Sequence, residues 1–136
     1  MRYKIFSVIL ITLIISGCTK IKGEFAYKKI IEDKYKRADG LLEFEKNEKV
    51  NWVYVFKDLK DIYNINVTLL KKELVWVDIA NRTEKISRSN NIIYGIIENL
   101  TDGTYKIIIS HSDKIIDEKE FVIYSEQEEY YKYEND

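Results

Sequence analysis

The chain has 136 residues, with 22 lysines and arginines against 23 aspartates and glutamates, and it contains one cysteine, one histidine and no proline. That length holds one domain, the near-zero net charge excludes the electrostatic footprint of a nucleic-acid binder, and the lone cysteine and histidine exclude a disulfide and a structural zinc site. With 46% apolar and 13% aromatic residues, the chain is predicted to bury a core rather than remain disordered.

The first 17 residues have the layout of a secretory signal. Arg2 and Lys4 precede a run of eleven mostly apolar residues, 5–15, which the small pair Ser16-Gly17 follows. Eleven helical residues rise only about 16 Å, roughly half of a bilayer's hydrocarbon thickness, so a permanent transmembrane helix is the weaker interpretation. We therefore predict that residues 1–17 are a cleaved signal peptide.

The four residues Ile15-Ser16-Gly17-Cys18 resemble the lipobox of bacterial lipoproteins, with Ile15 in place of the commoner leucine. The resemblance implies that the Cys18 thiol carries a diacylglyceryl group, that a peptidase cuts before this residue, and that the new amine is often acylated as well. It implies that the protein is attached to a lipid bilayer outside the cytoplasm, in the cell envelope. It does not indicate which membrane leaflet carries the protein. No cofactor other than the lipid is predicted. The alternative is a buried free cysteine that happens to follow an apolar run.

Residues 18–40 are predicted to be the lipidated cysteine and a tether. Residues 20–37 hold seven basic residues against three acids, which suits either contact with anionic headgroups or, the favoured interpretation, a solvated tether. Tyr27, Ile31 and Tyr35 are spaced four apart, so a short amphipathic helix over residues 24–37 is also predicted. Residues 126–136 are predicted to be a solvated acidic tail.

From residue 41 to 125 the pattern is typical of a β-sandwich. Short runs rich in Ile, Val, Tyr and Trp alternate with turn-forming clusters. Tyr63, Ile65 and Val67 alternate with polar residues, as in strands with one buried face, whereas residues 50–56 and 74–79 are apolar on both phases, so both faces are covered there or one carries an aromatic contact surface. Seven strands are predicted, at residues 41–46, 50–57, 62–70, 74–80, 91–98, 104–110 and 115–124.

The most specific local motif is Leu100-Thr101-Asp102-Gly103-Thr104-Tyr105. Its glycine can adopt a positive φ in the turn, and its tyrosine opens the next strand with the ring inward and the hydroxyl reaching back to the turn. This resembles the tyrosine corner of immunoglobulin-like and fibronectin type III domains, and Trp52 and Tyr63 extend the resemblance over residues 41–124. It implies an all-β, antiparallel, Ig-like sandwich, in which these side chains pack the core.

The sequence contains little that predicts catalysis. Ser110, His111 and Asp113 lie within four residues, but neighbouring side chains on a strand point apart, while a catalytic triad needs groups that converge from separate segments. The five glycines are not clustered into a phosphate loop. The chain is therefore predicted not to be an enzyme and to hold no metal.

The predicted function is that of a membrane-anchored envelope lipoprotein that displays a binding or scaffolding module. Sandwiches of this kind bind proteins through loops or exposed edge strands. The predicted contact surface is Trp76 with the loop 81–91, whose Arg82, Lys85 and Arg88 would form a basic patch, although for Trp76 itself core packing is the favoured interpretation. A protein partner is expected, of unknown identity. The alternative function is an accessory structural subunit of an envelope assembly or transport complex.

Overall fold

The computed structural model describes residues 20–126, in which every regular element is a β-strand. The strands form a four-stranded and a five-stranded sheet that pack face to face. The all-β sandwich predicted from the sequence is therefore confirmed, with nine strands in place of about seven. The strands are β1 Lys22–Lys29, β2 Lys36–Arg37, β3 Leu42–Glu45, β4 Val50–Lys57, β5 Tyr63–Lys72, β6 Trp76–Ile86, β7 Ile92–Ile97, β8 Gly103–His111 and β9 Lys114–Tyr124.

The four-stranded sheet has the order β2-β1-β4-β7 and is antiparallel throughout. Alternate residues of β4 point inward, so Trp52, Tyr54 and Phe56 are all buried in the core. Val53, on the outer face of the same strand, is buried as well, between the paired residues Ala26 and Tyr94. Both faces of the middle of β4 are thus covered, as its apolar pattern suggested.

The five-stranded sheet has the order β3-β9-β8-β5-β6. Its pairs are antiparallel except for β3, which runs parallel to β9. The inner face carries an alternating series from β5 and β8, with Ile65, Val67, Ile107 and Ile109 in the core. Strand β6 is the free edge on one side of this sheet, and β7 is the corresponding edge of the other sheet.

The strand registers define two ends of the sandwich. The N-terminal end is where the chain enters at Lys22, which pairs with Lys57, and it also carries the connections 58–62, 87–91 and 112–113. The far end carries the connections 30–35, 46–49, 73–75 and 98–102. Because β5 has ten residues, the two ends are about 30 Å apart.

Strands β1 and β2 occupy the segment that was predicted to be a tether with a short helix. The helical prediction for residues 24–37 was wrong because the spacing of Tyr27, Ile31 and Tyr35 does not mark one buried face: Tyr27 is half-buried against the core, whereas Ile31 is exposed. The residues that face the core are instead Phe25, which is buried, and the half-buried Tyr27, two residues apart on one face of β1. The sandwich begins at residue 22 and not at 41.

Strand β6 is longer than predicted. It continues to Ile86, whereas the sequence suggested a strand over 74–80 and a loop over 81–91. Most residues of 77–85 are exposed because β6 is an edge strand. Its backbone pairing with β5 stabilises it even though its sequence lacks the apolar alternation of a buried strand. The loop after it is confined to residues 87–91.

Three predicted features lie wholly or mostly outside the described residues: the signal peptide 1–17, the lipidated Cys18 and the acidic tail, of which only Glu126 is described. Among residues 20–126 no helix is long and apolar enough to cross a membrane.

Candidate functional site

The tyrosine corner lies at the far end of the sandwich. The Tyr105 ring is buried and stacks on Phe121 with centroids 5.4 Å apart. Its hydroxyl donates to the Thr101 carbonyl at 2.6 Å. Gly103 has a φ of 152°, which residues with a side chain rarely adopt, and Leu100 packs half-buried against the core. These motif residues hold the turn between β7 and β8.

The side chains of Trp52 and Tyr63 also pack against neighbouring residues. The Trp52 indole lies across Gly95 of the paired strand β7, where an added Cβ would come within 2.2 Å of the ring. Tyr63 packs edge-on against His111 at 5.3 Å between centroids. The Nδ1 atom of His111 lies 2.9 Å from the Asn64 carbonyl, so this nitrogen is engaged with backbone and not with a carboxylate, unlike the histidine of a catalytic triad.

Trp76 begins β6 on the outer face of the five-stranded sheet. It pairs with Lys72, on the face opposite to that of Tyr105. The indole is half-buried, with the Lys106 ammonium 4.4 Å and the Lys72 ammonium 5.8 Å from its ring. Trp76 is therefore a surface residue held by two cation–π contacts, and it does not belong to the core.

Arg82 lies on the opposite side of β6 from Trp76. It pairs with the core residue Val67, and its guanidinium lies 5.8 Å from the Trp52 ring. The same group donates to the Tyr94 carbonyl of β7 and forms an ion pair with Glu84 at 3.0 Å. Arg82 thus bridges the two sheets at their open side, between the edge strands β6 and β7.

A groove of about 220 Å³ runs beside Arg82 between the two edge strands. Its floor includes Trp52, Val67 and Ile107, and its rim includes Asn81 and Glu98. The volume is below the roughly 300 Å³ at which sites for drug-sized ligands begin. The groove can hold about one apolar side chain.

The four residues of the predicted contact surface are not brought together. Trp76 faces outward near the far end, Arg82 faces the inter-sheet opening, and Lys85 and Arg88 lie near the N-terminal end. The basic patch predicted for residues 81–91 fails because these residues lie along the strand β6 and beyond it, so successive side chains alternate between its faces. Only Trp76 remains part of an exposed apolar surface.

That surface is the hairpin tip, which we define as residues 73–77: the turn 73–75 between β5 and β6, and the first two residues of β6. Leu74 is fully exposed, Val75 is 68% exposed and Val77 is 43% exposed. A turn normally carries polar residues, because its backbone faces water. The sequence pattern predicted a strand from residue 74, because the polar run 71–73 is typical of a turn. The structure instead places the turn at 73–75, which exposes the two apolar residues 74 and 75.

The largest titration shift among the described residues belongs to a buried tyrosine of β4. Burial, with the Asp117 carboxylate close by, raises the pKa of the Tyr54 phenol. A hydrogen bond from Lys57 lowers the pKa of the exposed Glu24 carboxyl. Within residues 20–126 there is no group of three or more His, Cys, Asp or Glu side chains positioned to hold a metal ion.

No protein-family description and no curated protein matches the chain. Solved structures do match it. One is an immunoglobulin-like protein from Pseudomonas aeruginosa, with a TM-score of 0.54 and 12% sequence identity over 79% of this chain and 99% of that protein. At this identity the similarity shows the fold alone: the chain carries an Ig-like β-sandwich.

Proposed function

We propose that this chain is a lipid-anchored, non-enzymatic protein of the cell envelope, held in the membrane through Cys18, whose Ig-like sandwich binds a protein partner through the hairpin tip. The anchor rests on the resemblance of residues 15–18 to a lipobox. Two or three acyl chains would hold the protein stably, because one chain alone gives only marginal binding.

The observation that carries the proposal is the position of the hairpin tip relative to the chain's entry. The chain enters at Lys22 on one end, and the exposed Leu74 and Val75 lie on the other. A protein fixed to a membrane through residue 18 can hold its hairpin tip up to about 30 Å farther out than its point of entry. Exposed apolar residues concentrated in one place are a common mark of a protein-binding surface.

The chemistry of the tip indicates the kind of partner. Leu74, Val75 and the half-buried Trp76 are the side chains that a cleft would desolvate, and tryptophan is among the residues that most often dominate binding energy. Two lysine ammonium groups, those of Lys72 and Lys106, lie over the Trp76 ring and add positive charge beside the apolar side chains. The partner we expect is a protein with an apolar cleft and an acidic rim.

The anchor is tested by mass spectrometry of the membrane form beside its Cys18→Ala variant. We expect a chain that begins at residue 18 and carries a diacylglyceryl group, and a variant that is lost from the membrane fraction. An unlipidated chain that begins elsewhere would contradict the anchor. Protease added to intact cells then reports exposure: protection of the sandwich would favour the alternative function, a subunit of an inward-facing envelope complex.

The binding surface is tested with a photo-crosslinking residue placed at Leu74 in cells. The matched control is the same residue at Ile31, which is 87% exposed on another connection of the far end. We expect a defined cross-linked product from position 74 that is absent from position 31. Equal products from both positions, or a product from position 31 alone, would contradict the hairpin tip as the contact.

A further inference from the structure

The N-terminal end of the sandwich is basic. Two adjoining depressions open there, on either side of the loop residues 58–60 that both of them share. Five cationic side chains line them: Lys20, Lys22, Lys57, Lys60 and Arg88. We call these five residues the basic face. They come from the chain entry, from the end of β4 and from two separate connections, so the sheet registers assemble the face.

The charges of the basic face are only partly neutralised within the protein. Lys57 forms an ion pair with Glu24 at 2.7 Å. The other four cations form no salt bridge within residues 20–126. Asp58 lines both depressions, and Asp61 lies in the same loop, where its side chain accepts a hydrogen bond from the Ile62 backbone.

The two ends of the sandwich differ in charge. Residues 20–22, 57–62, 85–91 and 111–114, at the N-terminal end, contain seven lysines and arginines against three aspartates. Residues 29–36, 45–50, 71–76, 97–103 and 124–126, at the far end, contain seven lysines against eight acids. Of the two ends, as far as residues 20–126 describe them, only the one where the chain enters therefore carries a net positive charge.

Chain length fixes how far this end can stand from a lipidated residue 18. Four residue steps separate Cys18 from Lys22, the first residue of β1, and a fully extended chain covers at most about 14 Å over four residues. The sandwich begins at residue 22; a tether that reached to residue 40 would have allowed several times this distance between the sandwich and the anchor. The basic face is thus held beside the headgroups, where the surface potential of anionic lipids acts.

We propose that the basic face rests on the anionic lipid headgroups of the membrane in which Cys18 is anchored, and that this contact orients the sandwich with its hairpin tip outward. The proposal depends on the proposed lipid anchor. Ile62, 62% exposed in the same connection, supplies an apolar side chain that can enter the headgroup boundary. A protein partner is disfavoured on this face, because the short chain leaves little space between it and the bilayer.

The test uses the lipidated mature protein in vesicles of phosphatidylcholine, with and without phosphatidylglycerol. A membrane-impermeant acetylating reagent is added, and the reaction rate of each lysine is measured by mass spectrometry. We expect Lys22 and Lys60 to react about fivefold more slowly when phosphatidylglycerol is present, because the attraction of one cation to an anionic lipid surface lowers its availability by about that factor. High salt should abolish the difference, and Lys46 and Lys49 at the far end should react equally in both vesicles.

A matched pair of variants checks that charge on this face is the cause. The double variant Lys22→Glu, Arg88→Glu should lose the protection of Lys60. The control Lys46→Glu, Lys49→Glu changes the net charge equally at the far end and should keep that protection. Retained protection in the first variant would overturn the proposal.

The outcomes separate this proposal from the lipid anchor. Protein that floats with phosphatidylcholine vesicles, but whose Lys60 reacts equally in both lipid compositions, would overturn the headgroup contact and leave the anchor intact. Protein that fails to float with phosphatidylcholine would contradict the anchor itself. Equal slowing of Lys60 by inorganic phosphate alone would assign the face to a soluble anion and would also overturn the proposal.

Discussion

The two ends of the sandwich present different chemistry on one scaffold. The N-terminal end carries the basic face and the chain's entry, and the far end carries the hairpin tip and the tyrosine corner that holds the turn behind it. Both are built from connections between the same strands. The difference shows that one Ig-like sandwich can present a basic surface at one end and an apolar surface at the other, because a shared core fixes the positions of both ends.

The largest effect is expected from Gly95→Ala, which acts on the core that both ends share. The new Cβ would lie 2.2 Å from the Trp52 indole, so the ring must move. Overpacking of this kind costs about 1–3 kcal/mol, and thermal unfolding should shift down by several degrees. The control is Gly40→Ala, where nothing lies within 4 Å and only the positive φ opposes the change. Equal destabilisation by the two would contradict the close approach of Trp52 to Gly95.

The next effect is expected at the far end, from Tyr105→Phe. The change removes the hydroxyl that donates to the Thr101 carbonyl and should lower the free energy of unfolding by about 1–2 kcal/mol, measured by urea denaturation. Tyr94→Phe is the control, because its ring is 60% exposed, and it should have almost no effect. If Tyr105→Phe were equally silent, the tyrosine corner would not stabilise this end.

Alkaline pH should weaken the core through Tyr54. Burial raises the pKa of its phenol in the folded state, whereas an unfolded tyrosine titrates near 10. Above about pH 10 the unfolded chain loses a proton that the folded protein keeps, so stability falls as pH rises, by up to about 1.4 kcal/mol per pH unit. Tyr54→Phe should remove this part of the pH dependence. If the free energy of unfolding of Tyr54→Phe fell with pH as steeply between pH 10 and 11 as that of the unchanged protein, the raised pKa of Tyr54 would be contradicted.

The smallest effect on stability is expected from the hairpin tip itself. The double variant Leu74→Asp, Val75→Asp changes exposed side chains and should alter the free energy of unfolding by no more than about 0.5 kcal/mol. Binding of a partner that cross-links at position 74 should nevertheless be lost. A large loss of stability would show that the tip packs against the sandwich, and the contrast between the two ends would then disappear.

Much of the fold was predictable because its signals are local. The alternation in β5 and the turn chemistry of residues 100–105 identified a sandwich with a tyrosine corner. Strand β1 was missed although Phe25 and Tyr27 have the two-residue spacing of one strand face, because Tyr27, Ile31 and Tyr35 also fit a helical spacing. The pattern could not decide between the two without the pairing of β1 with β4.

The surfaces were less predictable because they depend on which strands become neighbours. Trp52 and Trp76 lie in equally apolar runs, but Trp52 packs over a glycine of the paired strand and Trp76 faces outward from an edge strand. The basic face joins residues 20, 60 and 88, which are far apart in sequence. No local pattern could place them together, since only the sheet order brings their connections to one end.

We propose that the N-terminal end lies at the membrane and the hairpin tip lies away from it. This orientation is tested most directly by energy transfer to a headgroup-labelled lipid from a dye on Ser89→Cys, at the N-terminal end, and on Glu73→Cys, at the far end, in the lipidated protein. We expect strong transfer from position 89 and, because the ends are about 30 Å apart, clearly weaker transfer from position 73. Equal transfer from both positions, or stronger transfer from position 73, would contradict it.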